Sequence, residues 1–212
     1  MKTAVLFDLD GTLLNTLEDL ADSTNAALAQ LGYPERTLEE VRRFVGNGAR
    51  RLMEQAVPAG GDVQAAYNAF RVYYDAHSQI KTAPYPGILA ALEKIQEKHP
   101  VAIVSNKPDS AVKILCRQYF PGIYARGESP DCPRKPAPDM VYQAMQALGC
   151  QRCIYVGDSE VDVQTAKNAG VPCLSVLWGF RDRDEIEKAG GDHFCEKPAL
   201  LTEKIEEIIH GK

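Results

Sequence analysis

Apolar residues run unbroken from Ala4 to Phe7 and then stop at two carboxylates one residue apart, Asp8 and Asp10. A short run without polar alternation is the pattern of a strand buried on both faces. After it the period changes. Leu17, Leu20, Ala21, Thr24, Leu28 and Leu31 recur at helical spacing, and Gly32 followed by Pro34 supplies the stop. Thr37-Leu38-Glu39-Glu40 reads as a capping box opening a second helix, which ends near Gly46-Asn47-Gly48. A third helix starts at about Ala49 and carries Leu52, Met53 and Ala56, and Pro58, Gly60 and Gly61 break it. Val63, Ala66, Tyr67, Phe70, Tyr73, Tyr74 and His77 mark a fourth, whose aromatic stripe reads as core, with His77 packed or capped on the same face.

Residues 15–82 therefore contain helix signals only, and the proline-rich stretch Thr82 to Gly87 suits a semi-rigid return linker. From Ile88 onward helices alternate with apolar runs at Val101–Val104, Ile123–Ala125, Ile154–Val156 and Cys173–Leu177, and a last helix spans Ala199–Ile209. Apolar strands separated by helices predict an α/β fold with a parallel sheet covered on both faces. The expected organisation is a Rossmann-like core of residues 1–14 and 83–212, with an all-helical insert at 15–82.

Composition narrows the function classes. The 212 residues include 29 acidic and 24 basic ones, for a net charge of −5, with no long basic run. That balance argues against nucleic acid or a membrane surface as partner. The apolar stretch near the N-terminus is cut at Asp8, too early for a signal or spanning segment, so the expectation is a cytoplasmic protein, monomeric or homodimeric. Six cysteines in such a chain read as reduced thiols. Cys150-Gln151-Arg152-Cys153 has no partner pair and reads as a turn entering a strand.

In parallel sheets, ligands bind beyond the carboxyl ends of the strands. Three strand ends carry chemistry: Asp8-Leu9-Asp10-Gly11-Thr12, Ser105-Asn106-Lys107, and Gly157-Asp158-Ser159-Glu160-Val161-Asp162. The loop Arg134-Lys135-Pro136-Ala137-Pro138 adds an ammonium. Two buried carboxylates side by side are costly unless a cation accompanies them. Singly, each motif has an ordinary reading. Ser105 suits a turn, Lys135 a solvated loop, and Ser159 to Asp162 a capping box, so that Asp162 serves its helix as well as, or instead of, the site.

Together and in this order the four motifs resemble those of the haloacid dehalogenase (HAD) superfamily, in particular its phosphoglycolate phosphatase group. The resemblance spans nearly the whole chain. It rests also on Ser105-Asn106-Lys107-Pro108, Lys135-Pro136-Ala137-Pro138 and the insert loop Val45-Gly46-Asn47-Gly48-Ala49. It implies a HAD core with a helical cap and a magnesium-dependent phosphatase that hydrolyses a small phosphorylated metabolite through an aspartyl phosphate. On this reading Asp8 is the nucleophile and Asp10 the general acid, with Lys135 balancing developing charge. Thr12, Ser105 and Asn106 donate to the phosphoryl oxygens. Asp8, the Asp10 backbone carbonyl and Asp158 offer the hard oxygens that Mg2+ prefers, and Asp162 orients Asp158 or Lys135. Lys107 is a second candidate for the lysine role. A carboxylate approaching a phosphate meets a repulsion of roughly 4 kcal/mol per pair of unit charges at short range, which a divalent cation reverses.

The same motifs fit a β-phosphoglucomutase-type phosphomutase or a pyrophosphatase. A phosphoacceptor signalling domain would combine similar residues but would leave Asp10 and the insert idle. Substrate choice falls to the insert, where Asn47, Gly48 and Arg50 sit at the start of a helix. A cation in a first turn opposes the helix dipole unless an anion lies nearby, which makes Arg50 the expected contact for a carboxylate-bearing leaving group.

Overall fold

The computed structural model describes residues 2–211. In chain order these form β1 (Thr3–Phe7), β2 (Leu14–Asn15), α1 (Leu17–Gln30), α2 (Leu38–Phe44), α3 (Ala49–Ala56), α4 (Val63–His77) and β3 (Ala83–Pro84). Then follow α5 (Ile88–Gln96), β4 (Val101–Pro108), α6 (Asp109–Tyr119), β5 (Tyr124–Glu128), α7 (Asp139–Ala147) and β6 (Arg152–Gly157). The chain ends with α8 (Glu160–Ala169), β7 (Cys173–Val176), α9 (Arg183–Lys188), β8 (His193–Cys195) and α10 (Leu201–His210). It divides into two compact units, one holding the residues up to Leu14 and from Pro84 on, the other Asn15–Ala83. Ala83 groups with the helices, one residue beyond the return point that the sequence suggests.

In the first unit six strands form one sheet in the order β5-β4-β1-β6-β7-β8, and every paired neighbour is parallel. The period-2 geometry of a strand explains the unbroken apolar runs. Val5 and Phe7 of β1, Val101 and Ile103 of β4 and Ile154 and Val156 of β6 face one cluster, with Ile88 and Leu92 of α5 and Leu115 of α6. Ala4 and Leu6, Ala102 and Val104, and Cys153 and Tyr155 face the opposite one, with Met140 of α7 and Ala166 of α8. Strand β1 lies between β4 and β6, so its carboxyl end opens where the chain turns from one half of the sheet to the other.

The helical unit is built as its periodicity predicts. Leu20, Ala21, Ala27 and Leu28 of α1 are buried, as are Ala66, Phe70 and Tyr74 of α4, and α1 packs chiefly on α4. The Phe70 and Tyr74 rings stack at 5.4 Å, and His77 stacks on Tyr73 at 4.0 Å. The α2 capping box forms: Thr37 Oγ1 accepts from the Glu40 N–H at 3.2 Å, and Glu40 Oε2 accepts from the Thr37 N–H at 2.8 Å. Buried Asp19 ties off the far end of this unit, since its carboxylate accepts the backbone N–H of both Lys81 and Thr82.

Three features differ from the sequence expectation. Strand β4 continues through Ser105, Asn106 and Lys107 to Pro108, with a register irregularity after Val104. Strand β5 begins at Tyr124 and runs to Glu128. Helix α9 and strand β8, of six and three residues, carry too little periodicity to be read.

Candidate active site

Everything in the candidate core site belongs to the first unit. Asp8 follows the last residue of β1, and its N–H extends the sheet by donating to the Val156 carbonyl of β6 at 2.8 Å. Its side chain turns to Lys135, whose Nζ lies 2.9 Å from Asp8 Oδ1. The same ammonium lies 2.8 Å from Asp162 Oδ1 and 3.1 Å from the Tyr155 hydroxyl. Lys135 reaches this depth because its peptide is gripped. The Asn106 side chain accepts from the Lys135 N–H at 2.7 Å and donates to the Lys135 carbonyl at 3.0 Å.

Asp162 satisfies the helix and the site at once. Oδ2 accepts from the Ser159 N–H and hydroxyl, completing the α8 capping box, while Oδ1 faces Lys135 and Tyr155. Asp158 is fixed from two sides: the Thr12 hydroxyl donates to Oδ1 and the Phe180 N–H to Oδ2, each at 2.8 Å. Trp178 Nε1–H in turn donates to the Thr12 carbonyl at 3.0 Å. Gly11, at φ +80°, and Gly179 lie so near Asp158 that a Cβ on either would overlap its side chain. Asp10 stands apart from this cluster, with Lys107 Nζ 2.8 Å from each of its carboxylate oxygens. Ser105 is buried and its hydroxyl accepts from the Lys107 N–H at 3.2 Å.

The electrostatics are those of a site with surplus negative charge. One ligand oxygen from each of Asp8, Asp158 and Asp162 lies within 4.8 Å of the others, and all three residues are buried. Burial pushes the Asp8 carboxyl well above the usual carboxylate range; Lys135 opposes this and the neighbouring carboxylates add to it. Asp158 is pushed up to about 7 by burial and by the charge of Asp162. Burial also disfavours the Lys135 cation, but Asp162 and Asp8 outweigh it and hold the ammonium well above its ordinary value. Three clustered carboxylates facing one ammonium are the donor set of a hard divalent cation. The residues present fit Mg2+.

The structure thus brings together Asp8, Asp158, Asp162 and Lys135, with Asp10, Thr12, Ser105 and Asn106 on the same strand ends. The Thr12 hydroxyl donates to Asp158, and the Asn106 side chain bonds the backbone of Lys135. Lys107 pairs with Asp10, leaving Lys135 as the lysine on Asp8. Asn47, Gly48 and Arg50 lie in the other unit. There Gly48 is the N-cap of α3, at φ +83°. Arg50, half exposed, donates to Gln64 Oε1 at 2.8 Å and lies 3.5 Å from Glu54, one turn on, which offsets its unfavourable place in the first turn. Arg51 shares Glu54, at 2.9 Å. Sequence reading missed Tyr155, Trp178 and Phe180, which carry no motif of their own.

Among the described residues no helix is long and apolar enough to cross a membrane. Residues 5–176 match the haloacid dehalogenase-like hydrolase family. The phosphoglycolate phosphatase of Pseudomonas putida is 34% identical over 221 residues, covering 98% of this chain and 78% of that protein. The phosphoglycolate phosphatase of Rhodobacter capsulatus is 33% identical over 215 residues, covering 95% of this chain and 97% of that protein. A crystal structure from Lactobacillus delbrueckii subsp. bulgaricus, provisionally described as a phosphoglycolate phosphatase, is 35% identical. It superposes with a TM-score of 0.91 and covers 97% of this chain and 99% of that one.

Proposed function

The chain belongs to the haloacid dehalogenase-like hydrolase family, and on that premise we propose that this phosphoric monoester hydrolase acts on a small, carboxylate-bearing phosphate ester such as phosphoglycolate. One observation carries the mechanism. Two carboxylates with one residue between them are held in different company, Asp8 by Lys135 in the buried cluster and Asp10 by Lys107 outside it. Separate environments give two carboxylates separate roles.

Asp8 attacks phosphorus; its oxygen–phosphorus bond forms as the ester oxygen–phosphorus bond breaks. The departing alkoxide takes a proton from Asp10 and leaves as the alcohol. Water then attacks the aspartyl phosphate, giving its proton to Asp10, and inorganic phosphate departs as the Asp8 carboxylate is restored. For Asp10 to carry that proton, Lys107 has to turn from it to the anionic oxygens of the substrate. Lys135 and Ser105 meet the phosphoryl charge, Asn106 and Asp162 hold Lys135 in place, and Thr12 holds Asp158. Mg2+ held by Asp8, Asp158 and the Asp10 main-chain carbonyl would supply the positive charge that lets one anion approach another. Asn47, Gly48 and Arg50 of the helical unit read the leaving group.

The test is a hydrolysis screen over phosphoglycolate, sugar phosphates, nucleotides and pyrophosphate, run with magnesium, with calcium and with chelator. We expect preference for the small carboxylate ester, loss of activity in chelator, and inhibition by calcium, whose looser coordination spoils the in-line geometry. In the same screen Asp8→Asn should lose roughly a thousandfold or more of kcat while keeping its melting temperature. Full activity in chelator would remove the metal from the mechanism, and near-normal turnover of Asp8→Asn would remove Asp8 as nucleophile.

A further inference from the structure

We infer that the loop following β7 is a strap that sets the position of Asp158, and that Trp178 is the positioning residue anchoring it. The hydrogen bonds close a circuit. Trp178 donates from its indole to the Thr12 carbonyl at 3.0 Å, the Thr12 hydroxyl donates to Asp158 Oδ1 at 2.8 Å, and the Phe180 N–H donates to Asp158 Oδ2 at 2.8 Å. Gly179, between the two strap donors, is pressed against the Asp158 side chain with no room for a Cβ. The Trp178 ring packs against the core cluster that contains Phe7 and Val176. Its N–H is therefore aimed by a rigid base and not by a mobile loop.

Both oxygens of Asp158 are thus oriented by groups whose mutual distance Trp178 fixes, through a bond to Thr12 that spans 166 positions of sequence. A carboxylate accepting two aligned donors keeps its remaining lone pairs in a set direction, and such outer partners tune metal affinity as well as the ligands themselves do. The strap adds no ligand and touches no substrate. What it supplies is the aim of Asp158, an inference that rests on the proposed metal role of that residue.

Trp178→Phe keeps an aromatic ring against the core and deletes the N–H together with the five-membered ring that carries it. Binding of Mn2+ alone, followed by the electron paramagnetic resonance signal of the unbound ion, reads the effect without turnover. We expect Trp178→Phe to bind Mn2+ roughly three- to tenfold more weakly, as for one lost hydrogen bond. Thr12→Val should weaken it as well. Because both changes break the same circuit, the double variant should lose less than the two single losses combined, whereas two separate packing defects would simply add. No Mn2+ binding by the unaltered protein would overturn the metal reading itself. Tight binding by the unaltered protein with unchanged affinity in Trp178→Phe, or full additivity with Thr12→Val, would overturn the strap alone. Should Trp178→Phe fail to fold, the unaltered protein decides, because Trp178 is its only tryptophan. A magnesium-dependent change in its emission supports the coupling, and an unchanged spectrum overturns it.

Discussion

At the scale of single residues, chemistry is assigned by the company each side chain keeps. Asp10 is the sharpest case, since the acid role requires it to deliver a proton while Lys107 grips both of its oxygens. Asp10→Asn cannot deliver that proton. Its loss of kcat should therefore be large for an alkyl phosphate and much smaller for nitrophenyl phosphate, whose leaving group departs without protonation. Equal losses on both substrates, measured side by side, would take Asp10 out of the acid role. Asp8, Asp10, Asp158 and Asp162 were legible in the sequence because each sits at a strand end or a helix start, and Lys135 because it stands in a proline-flanked loop. Their partners were not. The Lys107–Asp10 pair joins positions 97 apart, and the Phe180 N–H that holds Asp158 is a backbone group with no residue preference to betray it. Thr12 and Asn106 were legible as polar residues of the site, but their targets depend on distances that only the folded sheet sets.

At the scale of elements, local rules and tertiary needs agree most closely at helix starts. Two capping boxes foreseen from Ser/Thr-x-x-Asp/Glu spacing are present, at Thr37–Glu40 and Ser159–Asp162. They serve different ends. The first is exposed and serves its own helix, so Thr37→Ala should lower stability by about 1 kcal/mol, measured by denaturant unfolding, with kcat unchanged. A loss several times larger would mean that Thr37 holds more than α2. The second is buried and its acid also faces Lys135, so there the helix cap and the site are one residue. Strand ends were harder to place. Strand β4 runs four residues past its apolar stretch, where Pro108 pairs with Glu128 of β5 and where Asn106 and Lys107 bond Lys135 and Asp10, partners that no propensity contains. Helix α9 opens on its own capping box, Asp182–Glu185, but spans too few residues for a period to show.

At the scale of the whole molecule, the chain divides into a sheet unit that carries Asp8, Asp10, Lys135, Asp158 and Asp162 and a helical unit that carries Arg50. The sequence shows this division as a change of period, helical only from 15 to 82 and alternating afterwards. Arg50 is half exposed and makes its polar contacts to Gln64 and Glu54. If it reads the carboxylate of the leaving group, Arg50→Ala should cost roughly 1.5–3 kcal/mol in kcat/KM for phosphoglycolate and almost nothing for nitrophenyl phosphate. Parallel losses, or none, would move substrate selection to other residues. The strand order carries a consequence for how the molecule comes into being. Strand β1 holds Asp8 at the middle of the sheet, yet its two partners are β4, beginning at Val101, and β6, beginning at Arg152. At ribosomal speed the wait between β1 and β6 is on the order of ten seconds. The helical residues are made in that interval and cluster as a compact unit of their own. Until β4 emerges Ala4–Phe7 has no strand to join, and until β6 follows one edge of it stays open, so the segment destined for the centre of the sheet is for those seconds exposed to chaperones and to aggregation.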